Sequence, residues 1–124
     1  MVAQGKFIGV SRGLLGKLLA PQHMGGELAA EVQAMSERVG SEAYKRQQMA
    51  ILNRIDSRPS LGAIGVPTLV GVGEDDTMTP PELAEEIAGG IADAELVRFP
   101  DSAHLPTMEN PAAVVAAMRA WLRR

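Results

Sequence analysis

Apolar positions in the first half of the chain recur at helical intervals. Phe7, Val10, Leu14 and Leu18 fall at three- and four-residue steps, with Ile8, Leu15 and Leu19 beside them. One buried helical stripe is therefore expected to run from Phe7 through Ser11 and to end before Pro21. After PQHMGG, a second amphipathic helix carries Leu28, Val32, Met35 and Val39 and stops at Gly40, where a left-handed C-cap is expected. Ser41 reads as the N-cap of a third helix, with Tyr44, Gln48, Ile51 and Ile55 on one side. DSRPS breaks it, because the residue before a proline disfavours helix.

The period then changes. VPTLVGVG is a nearly continuous apolar run rich in β-branched residues and bounded by Pro67 and Gly73, which predicts a strand buried on both faces of a parallel sheet. Thr79-Pro80-Pro81-Glu82 combines an N-cap threonine, a proline at the first helical position and a glutamate three residues on. That box opens a helix through Leu83, Ile87 and Ile91. AELVRFP is a second short strand and DSAHLPTME a loop. Asn110-Pro111 starts a last helix with Val114, Val115, Met118, Trp121 and Leu122 facing inward. The order β-α-β-α implies parallel strands joined by a crossover, an α/β class.

Composition narrows the function classes. The 124 residues, 46% hydrophobic with a formal charge of -3, fit one domain with a single core. With 12 basic and 15 acidic residues and 3% aromatics, nothing calls for a nucleic acid partner or an anionic membrane surface. No apolar run is long enough to span a bilayer and no basic-then-apolar leader is visible, so a cytoplasmic protein is expected. The absence of cysteine removes disulfides, thiolate metal sites and cysteine nucleophiles. No phosphate-binding glycine loop is present, and no cofactor is expected.

Two patterns carry chemistry. Gly9-Val10-Ser11-Arg12-Gly13 fits the G-x-S-x-G of a nucleophile elbow, which makes Ser11 a candidate nucleophile. Such an elbow needs a buried strand before it, and MVAQGK supplies none, so Ser11 also reads as a small residue on a helix whose glycines admit another backbone. Separately, Glu74-Asp75-Asp76 follows the first predicted strand, and Asp101 and His104 follow the second. In open parallel sheets reactive groups collect beyond the carboxyl ends of the strands. An aspartate there can fix the tautomer of an imidazole and leave its other nitrogen free as a base. The same residues also suit plain surface turns. Glu74, Asp75, Asp76 and Asp101 have the oxygen ligands for Mg²⁺, though a solvated acidic rim accounts for them better. His23 reads as a solvated loop histidine. Ser102 stands too near His104 along the chain for the usual opposed geometry, and Ser57 and Ser60 fall in a turn.

The succession VPTLVGVGEDD, TP, AELVRFPDSAHLPTMENP and a closing helix with WL resembles the C-terminal part of α/β-hydrolase fold enzymes, similar to 3-oxoadipate enol-lactonases and related esterases. The resemblance implies a Ser-His-acid triad whose acid falls on Asp76, in G-x-x-D-x-x-x-P, and whose histidine falls on His104. Ala103 departs from the family's usual glycine before the histidine. Glu109 matches an acidic residue that helps cap the last helix. Upstream, residues 1–63 resemble the helical cap these enzymes insert before the strand carrying the acid, which puts Ser11 in a cap helix. Residues 64–124 are then the β-α-β-α end of the core, and the family's earlier strands, oxyanion loop and elbow would precede Met1. A truncated α/β-hydrolase fold with two open-edged strands is expected to be completed by self-association, as a homodimer. Two functions follow. One is a carboxylic ester or lactone hydrolase using Asp76, His104 and a serine from Ser11 or another chain. The other is a non-catalytic binding or assembly module.

Overall fold

The computed structural model describes the backbone of residues 2–3 and 6–7 and the whole of residues 9–124. Strands β1 (Val2–Ala3) and β2 (Lys6–Phe7) pair antiparallel. Helix α1 (Arg12–Leu18) follows, then a 3-10 turn at Pro21–His23 and the long helix α2 (Glu27–Leu52). A second 3-10 turn, Arg58–Ala63, leads into β3 (Thr68–Gly73), α3 (Pro81–Gly90) and β4 (Ala94–Phe99). The short α4 (Pro106–Glu109) and α5 (Pro111–Trp121) close the chain.

Strands β3 and β4 run parallel, with Thr68 opposite Ala94 and Gly73 opposite Phe99. The run LVGV does become a strand, and α3 is the crossover joining it to its neighbour. Val70 and Val72 pack with Ala84 of α3 into one core cluster, flanked by Ala88, Ala94 and Leu96. A second cluster joins Leu15 and Leu19 to Ala29 and Val32 of α2, with Leu105 and Met108 laid against it. Residues of the N-terminal half are thereby packed on the loop after β4.

Several expectations are corrected. The helical stripe does not begin at Phe7, which lies in β2, and Ile8 is outside the described residues. Gly9 takes φ 64°, a left-handed value that ends any helix there, and Ser11 is the N-cap of α1, accepting from the Leu14 N–H at 3.2 Å. Ser11 is thus not inside a helix but at the start of α1, in the connection that follows β2. Gly13 has open space around it among the described residues, while Gly9 lies against the Ser36 side chain of α2. Gly40 does turn the chain, at φ 74°, and no residue of α2 beyond it is buried. On α5 only Val114 is buried; Val115, Met118 and Leu122 are 46%, 48% and 70% exposed, so that side of the helix faces out. Trp121 is held at the rim, its indole N–H donating to the Pro67 carbonyl.

Gly73 is where β3 meets the loop after β4. The carbonyls of Ser102 and Ala103 stand where a Cβ on Gly73 would be. Backbone cannot retreat as a flexible side chain can. Gly73→Ala is therefore expected to cost about 3 kcal/mol, the upper end of the usual overpacking range, read as a lowered urea midpoint by circular dichroism.

Candidate active site

The turn after β3 builds itself around one carboxylate. The Asp76 N–H donates to the Gly73 carbonyl, and Asp76 Oδ1 accepts the N–H groups of Met78 at 2.8 Å and Thr79 at 3.0 Å. Aspartate is suited to such a turn because its short side chain reaches the amides two and three residues on. The Thr79 hydroxyl donates to the second oxygen, Oδ2, at 2.9 Å. Thr79 was expected to cap α3. Its hydroxyl is instead committed to Asp76, and α3 starts at Pro81 with Pro80 as its N-cap residue.

The second loop is locked to the first by main-chain bonds. Glu74 N–H donates to the Phe99 carbonyl and Asp75 N–H to the Ser102 carbonyl, while Asp101 takes φ 55° to turn the chain back over Gly73. His104 is thereby brought to Asp76, with Nδ1 2.9 Å from Oδ2. The Thr79 hydroxyl oxygen lies 3.2 Å from the same ring nitrogen. Because that hydroxyl gives its only proton to the carboxylate, the proton between the ring and these two oxygens belongs to Nδ1. The tautomer left has a bare Nε2, and among the described residues nothing hydrogen-bonds it. Sequence reasoning missed Thr79, although its place three residues after Asp76 is the spacing of an aspartate turn.

Asp76 is 6% exposed, and no lysine or arginine pairs with it among the described residues. Burial pushes its carboxyl up, but the Thr79 N–H, the His104 imidazole, the Thr79 hydroxyl and the Met78 N–H together outweigh that effect. The group is held below the ordinary carboxylate value. Ala103, in place of the expected glycine, is 2% exposed and leaves the imidazole on target.

His104 and Asp76 border a cleft of about 890 Å³ that runs along Val70–Gly73 and is walled by Leu83 and Ile87 of α3. Its far rim is charged, with Asp56 held down to about 2 by the Arg58 guanidinium that forks onto it. Ser57 is the serine among the lining residues, and it makes no hydrogen bond to His104. Ser11 stands at the far end of α1 from Leu18, whose carbonyl receives the His104 N–H. Seven residues of helix separate them by roughly 10 Å. Ser102 is fully buried and donates to the Pro100 carbonyl. Ser60 lies in the second 3-10 turn. His23 Nε2 donates to the Asp101 carbonyl at 3.3 Å. Glu74 and Asp75 are exposed, and no cluster of three metal-ligating side chains occurs among the described residues. Glu109 does not cap α5; Asn110 does, accepting from the Ala113 N–H.

A parallel pair of strands flanked by helices, with an acid after one strand and a histidine after the next, is matched by the family model for the alpha/beta hydrolase fold over residues 15–111. This chain belongs to that family. It is 31% identical to a proline iminopeptidase of Levilactobacillus brevis, over 82% of this chain and 37% of the relative. A pimeloyl-acyl-carrier-protein methyl ester esterase of Neisseria meningitidis serogroup C is 29% identical over 66% of this chain and 32% of its own length. Among solved structures, a thermophilic esterase from Thermogutta terrifontis superposes with a TM-score of 0.84 at 32% identity, covering 90% of this chain and 42% of the esterase. The chain spans well under half the length of each of these relatives.

The environment of Asp76 sets an acid limit on stability. Its folded value lies below the unfolded value of about 3.9, so between the two the unfolded chain binds more protons. The stabilisation is complete above about pH 5 and is lost as pH falls through the folded value. Urea midpoints measured across this range are expected to fall steeply toward acid in the unaltered protein and less steeply in Asp76→Asn.

Proposed function

We propose that this chain carries the acid and the base of a Ser-His-acid hydrolase acting on carboxylic esters or lactones, with Asp76 as the acid and His104 as the base. The observation behind this reading is the 2.9 Å bond from His104 Nδ1 to a buried carboxylate beside the cleft, with no hydrogen bond to Nε2 among the described residues. In such a site Nε2 takes the proton of an attacking hydroxyl, and Asp76 stabilises the imidazolium that forms. The hydroxyl oxygen bonds to the acyl carbon, and the imidazolium returns its proton to the leaving alkoxide. Water then releases the acyl group by the same relay. Thr79, which borders the same cleft, steadies Asp76 through its hydroxyl. Residues 1–63 act as the helical cap over residues 64–124, which hold the pair.

In this reading the attacking serine is either Ser11, which also caps α1, or a serine of another chain. Ser11→Ala is expected to lose about 1 kcal/mol of stability, and undiminished hydrolysis of a short-chain aryl ester by the purified variant would exclude Ser11 as the nucleophile. Asp76→Asn is expected to lower hydrolysis by about 10⁴-fold, and His104→Ala by a comparable factor. Loss of hydrolysis in a folded Ser11→Ala variant would support Ser11 as the nucleophile.

A second reading is favoured by one observation: Leu83, Ile87, Val115, Met118 and Leu122 are exposed on the helices beside a sheet of two strands. Parallel sheets are ordinarily covered on both faces. A non-catalytic homodimer that buries these residues accounts for that surface, and absence of ester hydrolysis in the unaltered protein favours this reading. In both readings the chain self-associates, and light scattering at micromolar concentration is expected to give twice the mass of one chain. A monomeric mass counts against it.

A further inference from the structure

Glu109 is a second buried carboxylate, 8% exposed, which the relay above does not use. Its surroundings differ from those of Asp76. Its Oε1 accepts the Ala20 N–H at 2.6 Å, and its Oε2 accepts the N–H groups of Ala103 at 2.9 Å and Leu105 at 3.1 Å. All three donors are main-chain amides, and no lysine or arginine bonds it among the described residues. A buried anion without a cation is costly unless its lone pairs are filled, and here amides fill them.

Where those amides stand gives the group its meaning. Ala103 and Leu105 flank His104, and the His104 N–H between them donates to the Leu18 carbonyl at 3.1 Å. Three consecutive amides are therefore tied. On the other side, Leu18 and Ala20 mark the end of α1 and the turn after it, where Leu19 and Ala20 are each 1% exposed. One carboxylate thus joins the N-terminal helical segment to the loop that aims the imidazole.

We infer that Glu109 is a positioning residue: it clamps the main chain on both sides of His104 and ties that loop to the end of α1, so that the imidazole stays on Asp76. It touches no substrate. The inference rests on the reading of His104 as the base for its catalytic meaning. A displacement of about 1 Å at a reacting group is of the order of 10²-fold in rate, so a loose loop degrades a relay without removing any member of it.

Glu109→Gln keeps the shape and breaks the pattern. An amide has one acceptor oxygen, so its NH₂ must face either the Ala20 N–H or the two loop amides, donor against donor. Nuclear magnetic resonance reads the outcome without any enzyme assay. In the unaltered protein at mildly alkaline pH, the His104 ring nitrogens are expected to report a single tautomer with Nδ1 protonated. In Glu109→Gln they are expected to shift toward an average of the two tautomers. Amide exchange at Ala20, Ala103 and Leu105 is expected to quicken at least tenfold. Trp121→Phe, which removes the bond to the Pro67 carbonyl at the far end of α5, is expected to leave all these signals in place. Unchanged ring shifts and amide exchange in Glu109→Gln would overturn the proposal, and so would equal changes in Trp121→Phe. Should Glu109→Gln fail to fold, exchange in the unaltered protein decides. Similar protection at the three amides supports a shared acceptor, and rapid exchange at Ala103 and Leu105 refutes it. Because the imidazole is read directly, failure to hydrolyse esters counts against the hydrolase reading and not against the clamp.

Discussion

The site depends on a backbone-to-backbone contact at Gly73. The loop after β4 lies directly on the end of β3, with the carbonyls of Ser102 and Ala103 occupying the volume that any side chain at position 73 would need. That contact lets the Asp75 N–H reach the Ser102 carbonyl, and it sets the separation of the two strand ends. Asp76 and His104 each belong to a rigid turn, and their 2.9 Å hydrogen bond follows from how closely the two turns are stacked.

Two buried carboxylates divide the work around the imidazole. Asp76 is satisfied by the amides of its own turn, by Thr79 and by the ring itself, and this arrangement holds its proton affinity low. Glu109 is satisfied by amides drawn from two distant parts of the chain. Each avoids the cost of a buried charge through N–H donors, without an opposite full charge. The first set orients a side chain that does chemistry in the proposed mechanism. The second orients the main chain that carries it.

Strands β3 and β4, the crossover helix and the break at Gly40 were legible along the chain, because each rests on local causes: β-branched runs, proline and glycine punctuation, and a left-handed φ that glycine tolerates. Asp76 and His104 were legible as candidates through their places after successive strands and through the family resemblance. The stripe from Phe7 failed because Gly9 turns the chain and Ser11 caps a helix that starts later. Thr79 and Glu109 were both read as helix caps, since threonine before proline and an acid before a helix are good local capping signals. In each case other partners took the side chain: Asp76 and His104 for Thr79, and the amides of Ala20, Ala103 and Leu105 for Glu109.

The α5 stripe has the same lesson from the opposite side. Val115, Met118 and Leu122 recur at helical spacing, which places them on a helix and says nothing about what covers them. Local propensity and periodicity, which act over a few residues, were enough to place β3, α3, β4 and α5 in order, and the family resemblance marked Asp76 and His104 as candidates for acid and base. The separation of those two groups and the bond from Ala20 to Glu109 arise between residues tens of positions apart. Only the folded chain decides them, because hydrogen bonds of about 3 Å form where the backbone brings donors and acceptors together, whatever their spacing in sequence.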